Sequence, residues 1–179
     1  MVKIYKLKFT ILQLELLRYL FIHAGQQFNA RSLAKTLDVS STAIIKAVPA
    51  LTKDNLIILK KEAGRLSIEL NRDNTFVIQS KRAENLKLLY ESGLVQFLYE
   101  ALPGTTIILF GSYAFGDDIH TSDIDIAIIG TPEKHLKVAK YEKVLEKNIS
   151  INYYPSLSLD QHLRNNILNG IVLKGSVDL

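Results

Sequence analysis

Apolar positions along the chain change period several times, and each change marks a predicted element. From Thr10, the residues Ile11, Leu14, Leu17 and Phe21 recur at helical spacing until Gly25, with Thr10 and Gln13 placed as a capping box. Asn29 can cap a second helix carrying Leu33 and Leu37. Asp38-Val39-Ser40 reads as a tight turn, and Ser41 as the cap of a third helix whose inner face is Ile44, Val48 and Leu51. The period then falls to two: Leu56 to Leu59, a turn at Ala63-Gly64, and Leu66, Ile68 and Leu70 alternating with Ser67 and Glu69 predict a strand pair. Residues 71–80, polar at first, predict a linker. From Lys81 helical spacing returns with Leu86, Leu89 and Tyr90 up to Gly93, and resumes through Val95, Phe97 and Leu98 to Pro103-Gly104. Ile107 to Phe110 predicts a buried strand, and Ile124, Ile126, Ala127, Ile128 and Ile129 a second one, central because it is apolar on both faces. Thr131 and Pro132 open a helix with Leu136, Val138, Tyr141 and Leu145 that ends near Asn148. Ile149 to Tyr154 alternates as a strand, and Ser158 caps a last helix, Leu159 to Leu168, closed by Asn169-Gly170.

Composition narrows what these elements can do. The 179 residues are 47% apolar, enough for packed cores in one domain or two small ones. No apolar stretch approaches the roughly 20 residues of a membrane span, and the N-terminus lacks the pattern of a signal peptide, so a soluble, cytoplasmic protein without a membrane partner is expected. There is no cysteine, which excludes disulfides, thiolate metal sites and a cysteine nucleophile. The four histidines, His23, His120, His135 and His162, include no pair at the i, i+4 spacing of a helical metal site, and only His120 lies close in sequence to the candidate chemistry below. The net charge of +4 hides an asymmetry: residues 1–80 carry 12 Lys+Arg against 6 Asp+Glu, and residues 81–179 carry 10 against 12. The basic half suggests a polyanionic partner.

The segment from Ile107 to Ile129 carries the chemistry. Its first apolar run ends in Gly111-Ser112, where the missing Cβ lets backbone approach a ligand closely, and a short helix beginning there would face N–H groups and a hydroxyl toward phosphate. In the second run Asp123 and Asp125 flank Ile124. Strand geometry points both carboxylates to one face and Ile124 and Ile126 to the other. Two such carboxylates repel unless a cation lies between them, and a hard ion such as Mg²⁺ takes oxygen ligands of this kind. Asp117 and Asp118 read as solvated loop carboxylates.

Phe110-Gly111-Ser112 followed by Asp123-Ile124-Asp125-Ile126 resembles the signature of the polymerase-beta-like nucleotidyltransferase superfamily. The resemblance implies a small mixed sheet with packed helices over residues 81–179. It also implies Mg²⁺-dependent transfer of a nucleoside monophosphate from a nucleoside triphosphate, with ATP the expected nucleotide, to a protein or nucleic-acid acceptor. Asp123 and Asp125 would bind metal, and Gly111 and Ser112 would hold phosphates. In that family a third carboxylate stands between hydrophobic residues on a later strand. The matching frame is Ile151-Asn152-Tyr153, so Asn152 takes the third catalytic position with a neutral amide that cannot act as a base. Phe115 is a second departure, standing where family members often carry Arg.

The three N-terminal helices and the hairpin resemble a winged helix-turn-helix over residues 1–80. The expected fold class is therefore α/β of the α+β kind, with a winged helix-turn-helix followed by a nucleotidyltransferase-type sheet. The second resemblance implies DNA contacts from Ser41, Thr42, Lys46 and Lys53 on the third helix and from Lys60, Lys61 and Arg65 in the wing. Pro49 inside that helix is expected to kink or shorten it, and the helix lacks the Arg and Asn/Gln that commonly read base edges. A docking or dimerisation module, as in a homodimer, stands as the alternative use of this half. For the whole chain the alternative is a catalytically weak or inactive nucleotide-binding regulator that binds DNA, as an antitoxin does.

Overall fold

A computed structural model describes residues 8–62 and 65–177, which leaves the expected Ala63-Gly64 turn outside the described residues. The chain divides into two compact units, Met1–Val77 and Ile78–Leu179.

The first unit contains α1 (Ile11–Ile22), β1 (Gln27–Asn29), α2 (Ala30–Thr36), α3 (Ser41–Lys53), β2 (Ile57–Glu62) and β3 (Arg65–Leu70). The strands form an antiparallel sheet in the order β1-β3-β2. Three helices closed by a hairpin, with a short strand between the first two helices, make a winged helix-turn-helix fold. Thr10 and Gln13 form the expected capping box on α1, and Asn29 forms another with Ser32 on α2. The inward stripe of α1 is rotated from the expected one: Gln13, Leu16, Leu17, Leu20 and Phe21 are buried, whereas Ile11 is 71% exposed. Gln13 accounts for part of this, since its side-chain amide donates to Ala47 O of α3 at 3.1 Å and draws that side of the helix inward. Ser40, one residue before the expected Ser41, caps α3 by accepting from Ala43 N at 3.1 Å. Pro49 does not end α3, which runs on to Lys53. Pro49 and Ile45, whose carbonyl loses its donor, both lie on the exposed side, where water can substitute. Leu16, Leu20, Leu33, Ile44, Leu51, Ile57 and Ile68 fill the core between helices and sheet.

Next comes α4 (Thr75–Glu91), which begins inside the segment expected as a linker. Only the preceding turn is irregular, and there Asn71 and Asn74 both donate to Asn55 O. The second unit continues with α5 (Leu94–Ala101), β4 (Thr106–Phe110), α6 (Gly111–Phe115), β5 (Ile124–Ile129), α7 (Ala139–Leu145), β6 (Ile149–Tyr154), α8 (Gln161–Leu168) and β7 (Ile171–Lys174). Its mixed sheet has the order β6-β5-β4-β7, with β5 parallel to β6 and antiparallel to β4. The strand carrying Asp125 is thus central, as its apolar run predicts. Alternation decides the two faces: Ile107, Leu109, Ile124, Ile126 and Ile128 pack with Leu89, Leu94, Leu98 and Tyr141. Ile108, Phe110 and Ala127 pack on the opposite face with Ile167 of α8.

Two expectations change here, and one strand is added. Residues 131–138 are not helical: Tyr153 OH donates to Lys134 O at 2.7 Å, taking the carbonyl that Val138 N–H would need, and Val138 N instead bonds Leu136 O. Asp160, not Ser158, caps α8 through bonds from His162 N and Leu163 N. The edge strand β7, four residues long, carries too short a pattern to have been expected.

Candidate active site

The site begins where β4 runs into α6. Phe110, the last residue of β4, lies opposite Asp125 in the antiparallel pair, so the next residue passes beside that carboxylate. Gly111 has φ +72, and a Cβ built on it would stand 2.6 Å from Asp125 Oδ2. Both facts demand glycine: the left-handed backbone disfavours a side chain, and the space is already taken by a carboxylate oxygen. Ser112 follows in the first turn of α6, so the Gly111-Ser112 bend and Asp125 share one corner of the sheet.

Asp125 is half-buried on the face of β5 opposite Ile124 and Ile126. Burial raises its pKa above the usual carboxylate value, and the charge of Asp123 raises it further. Asp123 itself is exposed, just before the first residue of β5. Its Oδ1 accepts from Asn148 Nδ2 at 3.1 Å, and the neighbouring Ile124 N donates to Asn148 O at 2.9 Å. Asp123 also lines a cleft of about 260 Å³ together with His120, Ser122, Glu142 and Asn148. His120 lines the same cleft as Asp123, whereas Gly111, Ser112 and Asp125 are not among the residues lining it.

The frame expected to carry a third carboxylate lies on β6. β6 runs parallel to β5 with Ser150 beside Asp125 and Asn152 beside Ala127. Asn152 thus shares the face of Asp125 but stands one pleat further along, and its Nδ2 donates to Ser150 Oγ at 3.2 Å. Tyr154, two residues on, has its pKa raised by burial first and then by the charges of Asp125 and Asp160. Asp160 Oδ1 is occupied by the two N–H groups it caps. Among the described residues no three His, Cys, Asp or Glu side chains converge to hold a metal ion. Asp123 and Asp125 are near enough for the charge of one to act on the other, and Glu142 and Glu146 are further carboxylates of the cleft that Asp123 lines.

Asp118 corrects the reading of Asp117-Asp118 as a solvated doublet. Asp117 is exposed, but the Asp118 side chain is fully buried. Lys81 Nζ of α4 contacts Asp118 Oδ1, which also accepts from Asn85 Nδ2 at 2.7 Å. Asn85 Nδ2 further donates to Tyr113 O of α6 at 2.9 Å. Lys147 Nζ lies 3.2 Å from Asp118 Oδ2 as an ion pair and donates to the carbonyls of Ile119 and Ser122 at 2.6 and 3.4 Å. A signal for this cluster existed in the sequence: Lys81, Asn85 and Leu89 fall four residues apart on the buried stripe of α4. Two polar residues in that register point to a buried polar partner.

In the first unit, Thr42, Lys46 and Lys53 are exposed along α3, and Ser41 is half-buried. Lys60 Nζ contacts Glu69 Oε1 across the hairpin at 2.6 Å, and this hydrogen bond is the main cause of the lowered Glu69 pKa. Lys61 is exposed, and Arg65 pairs through its backbone with Glu62 at the end of the hairpin. The wing cations therefore differ: Lys60 already serves the sheet. Among the described residues no helix is long and apolar enough to cross a membrane.

Residues 92–174 match the family model of the nucleotidyltransferase domain. The match supports the nucleotidyltransferase superfamily for this part of the chain. It runs from the residues just before α5 to the end of β7 and so includes the Gly111-Ser112 bend, both aspartates and Asn152. No curated protein matches the sequence. Among solved structures, the adhesin competence repressor of Streptococcus pyogenes is similar at 24% identity, with 50% of this chain and 67% of that chain covered and a TM-score of 0.39.

Proposed function

We propose that the second unit is an Mg²⁺-dependent nucleotidyltransferase that moves the nucleoside monophosphate of ATP to a protein or nucleic-acid acceptor. The observation that carries this reading is the corner shared by Gly111 and Asp125, where the carboxylate occupies the space of the absent Cβ and Asp123 adds a second negative charge. The donor set fits the group. Hard carboxylate oxygens suit Mg²⁺, and a desolvated, repelled carboxylate is relieved by a cation. When bound, Mg²⁺ neutralises phosphate charge and polarises the α-phosphoryl group. Asp123 and Asp125 would hold the ion, and the backbone of Gly111 with the Ser112 hydroxyl would hold phosphate oxygens.

In the transfer itself an acceptor oxygen bonds to the α-phosphorus, the bond to the bridging oxygen breaks, pyrophosphate leaves, and the acceptor proton passes to solvent. Asn152 brings no charge and cannot take that proton, so the chain supplies positioning and charge stabilisation more than base catalysis. A slow enzyme follows. Incubation of the full chain with α-labelled ATP, Mg²⁺ and a cell extract should give labelled acceptor that disappears with Asp123→Ala. The absence of labelled product across nucleotides and metal concentrations would count against the transferase reading.

A second reading is favoured by the absence, among the described residues, of a three-carboxylate cluster, together with the exposed Thr42, Lys46 and Lys53. Here the chain is a DNA-binding regulator in the cytoplasm, self-paired or antitoxin-like, whose second unit binds nucleotide with little or no turnover. Nucleotide binding without product, together with salt-dependent DNA binding, would select it.

A further inference from the structure

Lys147 and Asn148 are consecutive residues between α7 and β6, and both act on the loop that delivers Asp123. Lys147 donates to the carbonyls of Ile119 and Ser122, near the two ends of a short turn, and faces the buried Asp118 carboxylate. Asn148 takes the far side: its carbonyl accepts from Ile124 N and its side chain donates to Asp123 Oδ1. An exposed carboxylate at the start of a strand otherwise rotates among staggered wells. With one oxygen held by Asn148, its other oxygen is the one left for a ligand. The chemistry of the holder matters as well. A lysine there would orient Asp123 but cancel its charge, whereas an amide orients it and leaves the full negative charge for a cation.

We propose that Asn148 is a positioning residue that orients Asp123 toward a divalent cation, with Lys147 fixing the loop behind it. This rests on the nucleotidyltransferase reading of Asp123 and Asp125. The pair lies outside the glycine-serine and aspartate motif, so the motif alone does not reveal it. Partners that orient a metal-binding carboxylate typically change metal affinity or activity by about 10–100-fold when removed.

The test is Mn²⁺ and ATP binding to the full chain by calorimetry, for the wild type, Asn148→Ala, Asp123→Ala and the double variant. Asn148 is exposed, so its replacement should leave thermal unfolding unchanged, which separates positioning from a structural role. The expected result is an affinity for Mn²⁺ with ATP about 10–100-fold weaker in Asn148→Ala, and no further loss when the change is made in the Asp123→Ala background. Unchanged affinity in Asn148→Ala, or an equal loss when Asp123 is already alanine, would overturn the positioning role while leaving the transferase reading intact. Wild-type binding that does not depend on Asp123 would overturn both.

Discussion

At the scale of single residues, Asp125 carries an ionisable group in a place that disfavours its charge. Its pKa is raised by burial and by Asp123, so folding favours its protonated form. The stability this gives is complete below the ordinary carboxylate pKa and is lost as pH rises through the raised value. At neutral pH without metal the ionised group is a net cost. Asp125→Asn should therefore raise the melting temperature of the metal-free protein at pH 7 and flatten its decline between acid and neutral pH. On the proposed function, Mg²⁺ with ATP should stabilise the wild type and not this variant; a lower melting temperature for Asp125→Asn would contradict this account. Gly111→Ala should cost about 1–2 kcal/mol in urea unfolding from the left-handed backbone alone, and should also weaken nucleotide binding by displacing Asp125 Oδ2. Both residues were legible in the sequence because their chemistry is local: a glycine ending an apolar run, and carboxylates set two apart in another. Asp118 was not legible, since the same residue type next to Asp117 looks solvated until α4 brings Lys81 and Asn85 against it.

At the scale of elements, that buried cluster joins α4, α6, the loop before β5 and the segment between α7 and β6. Lys81 and Lys147 are both buried, so neither can turn to water if Asp118 loses its charge. Removing one member of a buried ion pair typically costs about 3–5 kcal/mol because the partners are left desolvated and uncompensated. Asp118→Ala should lower the urea midpoint of unfolding by a corresponding amount, far more than Asp117→Ala on the exposed neighbour. Near-equal effects of the two substitutions would show that the cluster does not hold these elements together. Elements with their own caps or long periods were readable from sequence, including α1 with its Thr10-Gln13 box, α2 with Asn29, and the two central strands. Elements defined by distant partners were not. β1 and β7 are three and four residues long and exist because β3 and β4 offer them edges. The first half of the helix expected after Pro132 is replaced by an irregular segment whose Lys134 carbonyl is taken by Tyr153.

At the scale of the whole molecule, the two units differ in charge as well as fold, and this sets the last prediction. The basic excess lies in residues 1–80, while both aspartates of the candidate active site lie in the other half. If the exposed Lys46 and Lys53 of α3 neutralise DNA phosphates, binding should weaken steeply with salt, because each phosphate contact releases a counterion. Each of Lys46→Gln and Lys53→Gln should then lower the slope of log affinity against log salt by about 1. Lys60→Gln should change it less, since that ammonium is already paired with Glu69. Asp123→Ala with Asp125→Ala should leave the slope unchanged while abolishing nucleotide binding. This combination distinguishes a DNA-binding winged helix from a docking module, which would show no binding to duplex DNA even at low salt. Pro49 does not prejudge the result, because α3 runs through it unbroken and keeps Thr42, Lys46 and Lys53 exposed. The scarcity of Arg, Asn and Gln on that helix does bear on specificity: backbone contacts from lysine position a protein without reading bases. Affinities measured on unrelated duplexes of equal length should accordingly fall close together, and a strong preference for one sequence would require contacts from residues other than these lysines.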